Sequence, residues 1–478
     1  MSDRKLEFYG GGWMAFLPFV IFLSLILLTT FFWGSISDGA LWVPAFLALI
    51  VTFFFSRDKT HYADVVISGI ASKEAITPVI CWLWAGVFSR LLRVSGLAAA
   101  IAGYAAGLGV GSTAFLVITF LASCLFATAS GTGFGTIAAA MGVLYPAGVE
   151  LGCHPALLAG LIISGAAFGD NLAPVSDTTI CSTTSQGVDV PGVVRSRFKY
   201  SFVAACITIA IAVFLATKLD TAASAVSTDF SYDPRAFWML VAVLLTLVLA
   251  MKTGDIIIAT TIGIVAAAVI GVAAGQFDLL QVDAANPAKT ALIAVHGEGL
   301  DRTVDGIFYM GLASMLQVCI LALLLFGSIA IMRAGGGDKK LLNALGTVAS
   351  TACGAEVVIS LMVIILSAVM GLNAPAILAV GASFAKPLSE KYGFTGYRAA
   401  NLLDAQSNTL VYSMPWTPAV IYTISFASGT KAPLAAIQVT PFVVYGYVLM
   451  FVMFASIFLG IGRNDGSEIL KKRASQGE

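Results

Sequence analysis

Two stretches of the chain hold side chains whose types and spacing suit cation binding away from bulk water. The first runs from Ala127 to Thr183 and contains ATASGTGFGT and SGAAFGDNLAPVSDTT. The second runs from Ser350 to Thr417 and contains STACGAE and AANLLDAQSNTLVYSMPWT. Asp170 and Asp177 are the strongest single residues. A carboxylate at mid-bilayer costs about 2.5–3.5 kcal/mol on insertion scales unless solvated or paired, so it is a functional candidate by default. A hard cation such as Na+ wants oxygen ligands. Ser176, Asp177, Thr178 and Thr179 supply up to five side-chain oxygens, and Asn171 adds an amide. Ser, Thr and Asp also favour helix N-caps, and one residue can do both jobs. The second stretch offers Asp404, Ser407, Asn408 and Thr409 as counterparts. The expected Na+ ligands are Ser176, Asp177 and Thr178 from the first stretch and Ser407 and Asn408 from the second. Glu356 stands at the mouth of the apolar run VVISLMVIILSAVM, where it accepts a proton or neutralises a substrate amine.

The elements that hold these groups are set by composition. The chain has 478 residues, 59% hydrophobic and 11% charged; a soluble domain carries about 25% charged residues. So few polar side chains cannot cover so apolar a core, and runs of roughly 20 apolar residues make the bilayer the natural solvent. In hydrocarbon every backbone N–H and C=O must be paired. A span interrupted by glycine and proline is therefore buried in protein or lines a wet cavity. Broken helices have a use there, since their free carbonyls attract a cation and their free N–H groups an anion. SGTGFGT and GDNLAPVSDTT have this composition, as do TACGAE and DAQSNT. The 47 glycines fit close helix packing. The seven cysteines lie mostly inside apolar runs and read as small buried residues rather than disulfides or metal ligands. Formal net charge is zero with only three histidines, which argues against a nucleic-acid partner, since that would call for a basic patch. No His/Cys cluster supports a metalloenzyme, no ATPase motif is present, and a channel or membrane enzyme is the weaker reading. Energy is expected from an ion gradient.

Lys and Arg favour cytoplasmic loops. Arg57 with Lys59, then Arg195, Arg197 and Lys199, then Arg333, and finally Lys471, Lys472 and Arg473 mark the inside. Lys386 and Arg398 bracket a further cytoplasmic loop. Asp278, Asp283, Glu298, Asp301 and Asp305 mark the longest polar loop as external. Both termini come out cytoplasmic. The fold expected is an all-α polytopic membrane protein with inverted-topology repeats, re-entrant hairpins and broken helices. Residues 1–60 are scaffold helices, 61–199 the first repeat, 200–302 linking helices and the external loop, 303–431 the second repeat, and 432–478 the last helix and tail. In this alignment ATASGTGFGT matches STACGAEVV, and LAPVSDTT matches LLDAQSNT.

GAAFGDNLAPVSDTT resembles the G-D-K-L-S-P-L-S-D-T-T signature of the Na+/H+ antiporter NhaC family, and SGTGFGT resembles that family's S-G-T-S-W-G-T. The resemblance covers Ser130–Thr184 closely and Gly306–Thr423 loosely. It implies a Na+-coupled secondary carrier of the ion-transporter superfamily in the cell's inner (plasma) membrane. Such carriers bind Na+ at the tips of paired re-entrant hairpins, and several work as homodimers by an elevator movement. The implied ion-binding residues are Asp170, Asn171, Ser176, Asp177 and Thr178, with Ser130 and Thr132 from the first motif. The S-N-T at Ser407–Thr409 resembles the Na+-site triplet of the superfamily's dicarboxylate carriers. Two departures stand out: Asn171 replaces the family lysine, and the LDAQSNT segment replaces the usual E-D-S-G-T. Na+/H+ exchange is the simplest expectation. Na+- or H+-coupled transport of a small organic solute, an amino acid or a hydroxy or carboxylic acid, is the alternative. Phe134, Tyr412, Met414 and Trp416 then either line its pocket or pack.

Overall fold

A computed structural model describes residues 5–33, 39–174, 176–219, 233–253, 255–282, 290–297, 302–337, 340 and 350–465. The tail carrying Lys471, Lys472 and Arg473 lies outside the described residues. The fold is the expected polytopic helical membrane protein. Among the described residues four helical stretches are long and apolar enough to cross a bilayer: Ala75–Val94, Pro155–Gln186, Val190–Lys218 and Ala352–Met370. A fifth is a pair bent by 44°, Ala436–Phe442 with Val444–Phe458. The stretch Pro155–Gln186 is 94% buried, whereas Val190–Lys218 is 33% buried. The broken helix is thus central, and the unbroken one turns Phe198, Phe202 and Phe214 outward, as a lipid-facing surface requires.

The elements that build the centre are α1 (Lys73–Val94), α2 (Ser112–Ser130), α3 (Gly133–Glu150), α4 (Pro155–Leu172), α5 (Asp177–Gln186) and α6 (Val190–Lys218) from the first half. From the second half come α7 (Leu316–Ala334), α8 (Ala352–Met370), α9 (Asn373–Val380), α10 (Gly396–Ser407), α11 (Pro418–Ser428) and α12 (Val444–Phe458). α2 ends at Gly131, whose φ of 69° is the left-handed conformation that glycine adopts without a Cβ penalty. Thr132 is extended and caps α3 by accepting from the Gly135 N–H at 3.2 Å. α2 and α3 therefore fold back on one another at a two-residue turn. α4 starts on Pro155 and ends at Ala173, which is extended before Pro174, as the residue preceding a proline must be. Ser176 then caps α5.

The second half uses the same devices at matching distances. α8 ends at Gly371 with φ 66°, Leu372 is extended, and α9 begins at Asn373. Met414 is extended before Pro415, and Thr417 holds the N-cap position of α11. Pro174 follows Gly131 by 43 residues and Pro415 follows Gly371 by 44. The expected pairing of sequence motifs is corrected by this geometry. The turn that matches SGTGFGT is Gly371–Asn373. STACGAE instead opens α8, with Thr351 as its N-cap. The break that matches LAPVSDTT is SMPWTPAV, and LLDAQSNT lies in the closing turns of α10. The two halves interlock, with α3 against α11, α9 against α5, and α5 against α10.

One feature departs from an all-α reading. The polar stretch expected to be a plain loop carries a three-stranded sheet: β1 (Asp278–Val282) pairs parallel with β2 (Ala291–His296), which pairs antiparallel with β3 (Thr303–Asp305). At another corner an ion network fastens the chain end to the bundle. Glu356 on α8 accepts from Arg398 Nε of α10 at 2.7 Å and from Arg463 Nε at 2.9 Å. Arg398 and Glu356 are fully buried. Arg398 also donates to Ser456 Oγ of α12 and Tyr200 Oη of α6. The loop reading of Arg398 is corrected accordingly.

Two stability outcomes follow. A Cβ at Gly169 would sit 2.1 Å from Ala127 Cβ and 2.4 Å from Thr128 N, so Gly169→Ala forces α4 off α2 and costs about 1–3 kcal/mol. A lower unfolding temperature in detergent checks this; an unchanged one means the two helices are not in contact. Glu356→Gln leaves Arg398 uncompensated, and removing one partner of a buried pair costs about 3–5 kcal/mol. The same melting experiment reads it, and wild-type stability would show that the guanidiniums are balanced elsewhere.

Candidate functional site

The break between α4 and α5 is lined with oxygens. Asp170, in the last turn of α4, is 5% exposed. Its Oδ1 accepts from Ser176 Oγ at 2.8 Å and its Oδ2 from Tyr412 Oη at 2.9 Å. Thr178 Oγ1 lies 2.9 Å from Ser176 Oγ and donates to the Asp170 carbonyl at 3.3 Å. Asp177, the first residue of α5, is exposed and lines a cavity of about 940 Å³. Asp170, Thr132, Gly133 and Tyr412 share that wall. The sequence reading placed Asp170, Ser176, Asp177 and Thr178 together, and the structure brings them together. Tyr412 comes from the second half of the chain, so the first-half carboxylate is held by a residue far away in sequence. The approach depends on Gly133: a Cβ there would lie 1.9 Å from Tyr412 Oη.

The second-half oxygens sit one layer deeper. Asp404, Ser407, Asn408 and Thr409 are all fully buried. Asp404 Oδ1 accepts from Asn408 Nδ2 at 3.0 Å, and Asn408 Oδ1 accepts from Asn373 Nδ2 at 2.7 Å. Asn373 lines the cavity, so it stands between Asn408 and the space that Asp177 faces. Ser407 donates to the Asp404 carbonyl and Thr409 to the Gln406 carbonyl; both hydroxyl protons are bound to the backbone of their own turn.

Arg197 was read as part of a cytoplasmic basic loop, and the structure corrects that. It is fully buried and pairs with Asp404 Oδ2 through Nη1 at 2.5 Å. The same Nη1 donates to the Asn171 carbonyl, at the end of α4, and to Thr179 Oγ1 of α5 at 3.3 Å. Its Nε donates to Asn401 Oδ1 of α10 at 3.2 Å. The physical reason is the early start of α6: Asp189 caps it and Pro191 occupies its first turn, so residues 190–200 are helix, with Gly192, Val193, Arg197 and Tyr200 on its buried face. The D-V-P start was the available signal.

Other expected site residues fall differently. Asn171 turns its Nδ2 to Ser201 Oγ at 2.7 Å and Tyr445 Oη at 3.2 Å, away from the Asp170 hydroxyls, and its Oδ1 has no partner. Thr132 lines the cavity and caps α3. The side chain of Ser130 lies outside the described residues. Glu356 is set apart: both its oxygens are taken by guanidiniums, and it does not serve as an open proton or amine acceptor. Phe134 and Tyr412 line the cavity, while Trp416 Nε1 donates to the Ala368 carbonyl at 2.9 Å. Sequence reasoning missed Asn373, Trp82 and Tyr422 on the cavity wall. Trp82 lies 6.2 Å from Phe134 and 5.4 Å from Tyr422, ring centre to ring centre, forming one aromatic face. Among the described residues no cluster of three His, Cys, Asp or Glu side chains is arranged to hold a transition metal.

Residues 8–217 match the model of the Na+/H+ antiporter family. The chain is 27% identical over 243 residues to the malate-2H(+)/Na(+)-lactate antiporter of Bacillus subtilis, covering 48% of this chain and 51% of that one. It is 25% identical over 314 residues to the Na(+)/H(+) antiporter NhaC of Alkalihalophilus pseudofirmus, covering 63% and 66%. It is 33% identical over 108 residues to the arginine/ornithine antiporter ArcD of Halobacterium salinarum, covering 22% of each. The matched part spans about half to two thirds of the length of the first two relatives. Among solved structures, the YdaH transporter of Alcanivorax borkumensis aligns with a TM-score of 0.38 at 13% identity, covering 94% of this chain and 99% of that one. MtrF of Neisseria gonorrhoeae aligns at 0.39 and 11%, covering 85% and 83%. With the family model matched from residue 8 through α6 and NhaC proteins among the relatives, the first half of the chain is similar to the Na+/H+ antiporter family.

Proposed function

We propose that the protein exchanges Na+ for H+ at the break between α4 and α5, with Asp170 and Asp177 as the carboxylates that take either ion. The observation that carries this is the position of Asp177: a carboxylate at a helix start, facing a cavity, with Asp170, Ser176 and Thr178 directly behind it. Na+ would sit among carboxylate and hydroxyl oxygens, the donors a hard cation prefers. A proton on either acid removes the charge that holds the ion, so the two cargoes exclude one another. This competition is all that coupling needs.

The matching turns at Gly131 and Gly371, and the matching breaks at Pro174 and Pro415, support an inverted-repeat plan for residues 61–199 and 303–431. Short loops rich in Lys and Arg favour both termini on the cytoplasmic side of an inner membrane. A second reading, coupled transport of a small organic solute, is favoured by one observation. The cavity of about 940 Å³ is far larger than an ion needs, and falls in the size range of organic ligand pockets. Its face of Trp82, Phe134 and Tyr422 suits an apolar body. Relatives named for malate, lactate, arginine and ornithine point the same way.

Proteoliposomes separate the readings. Na+ added outside vesicles with no organic solute is expected to drive proton movement, and Asp177→Asn to abolish it. Unchanged Na+ affinity of Asp177→Asn by titration calorimetry would remove Asp177 from the site. Proton movement that appears only when an amino acid or carboxylic acid is supplied would establish the second reading instead.

A further inference from the structure

The three carboxylates near the break, Asp170, Asp177 and Asp404, are not equivalent, and the difference lies in Arg197. Asp170 and Asp177 line the cavity, and Asp404 does not. Asp404 holds a guanidinium at 2.5 Å, with both partners fully buried. The nitrogen that pairs with Asp404 also bonds the carbonyl of Asn171, the residue next to Asp170. A cation therefore already occupies the C-terminal end of α4, where free carbonyls draw positive charge. We propose that Arg197 is a resident counter-ion. It cancels Asp404, removes that carboxylate from the set that takes Na+, and leaves Asp170 and Asp177 as the pair that exchanges. This rests on the Na+ site proposed above and assigns a positioning role to a residue outside that site.

The geometry explains why the pair must be balanced. A buried charge a few ångströms from another acts through a low dielectric, where a unit charge matters far more than in water. If Asp404 loses its charge, the Arg197 guanidinium stays beside Asp170 with no carboxylate of its own. It then competes with Na+ for the Asp170 end of the site. If both charges are removed, the field at Asp170 returns close to its native value.

The test is a charge cycle read by 22Na+ binding or titration calorimetry on purified full-length protein, with size-exclusion profile and melting temperature recorded for each variant. Asp404→Asn is expected to weaken Na+ binding by about tenfold or more, the order for one uncompensated buried charge. The double variant Arg197→Gln/Asp404→Asn is expected to return to within about threefold of wild type, since the two removals cancel in charge. Arg197→Lys keeps the charge and is expected to bind Na+ nearly as wild type. A purely structural pair predicts the opposite order, with the double variant at least as weak as Asp404→Asn; that result overturns the proposal, as does wild-type affinity in Asp404→Asn. Should Asp404→Asn fail to fold, the double variant decides alone: loss of Na+ binding there makes Asp404 a ligand and sinks the counter-ion role. Failure of wild-type protein to bind Na+ at all is a separate outcome, which overturns the proposed site itself.

Discussion

Arg197, on α6, joins three further elements around the break, α4, α5 and α10. Its Nη1 touches the Asn171 carbonyl at the end of α4, a hydroxyl of α5 and the carboxylate of α10, and its Nε reaches Asn401. Removing two charges from water is costly, and a buried pair repays it only with good geometry and further hydrogen bonds. Here the further bonds exist, and they run between the two halves of the chain. The consequence is positional. The break in the central helix cannot close into a continuous helix, nor drift from α10, without separating a guanidinium from its carboxylate. The oxygens of Asp170, Ser176 and Thr178 are held open by a salt bridge that none of them belongs to.

The break itself follows from local rules. Pro174 cannot donate to Asp170 and pushes Ala173 out of helix. Ser176 restarts the helix by capping it, while its hydroxyl proton goes to Asp170. One serine thus satisfies a backbone donor and shapes an anionic pocket. From the other side, Gly131 turns the chain so that Thr132 and Gly133 meet Tyr412. Each half contributes a glycine turn and a proline break, and the cavity lies where they converge. Backbone irregularity at membrane depth is tolerated only in such a place.

This separation between local and long-range causes explains what could be read beforehand. The first-half motifs were legible because glycine, proline, serine and aspartate act within a few residues: SGTGFGT announced a turn, and GDNLAPVSDTT a break with an acid at each side. The second-half match was misread for the same reason. The segment MGLNAP has one glycine and looks like any short connection, whereas TACGAE looks special by composition and is only a helix start. Arg197 was illegible in another way. A rule that assigns arginines near span ends to the cytoplasm accounts for Arg197 together with Arg195 and Lys199, so its burial leaves no residue-level anomaly. Arg398 escaped likewise, and with it the true setting of Glu356.

The acids of the membrane region therefore divide by partner rather than by position in sequence. Glu356 faces two guanidiniums and Asp404 faces one, and all of these pairs tie elements together. Asp170 and Asp177 face hydroxyls and open space. A carboxylate locked to arginine cannot give up its cation without undoing local structure, so it suits a scaffold. A carboxylate held by hydroxyls keeps its place whether or not an ion is present, because Ser176 and Tyr412 act on it as neutral donors. Such a group can lose and regain a cation repeatedly at little structural cost, as an exchange cycle demands. The arginine-bound acids fix the frame, and the proposed exchange falls to Asp170 and Asp177, which sit among hydroxyls and against the cavity.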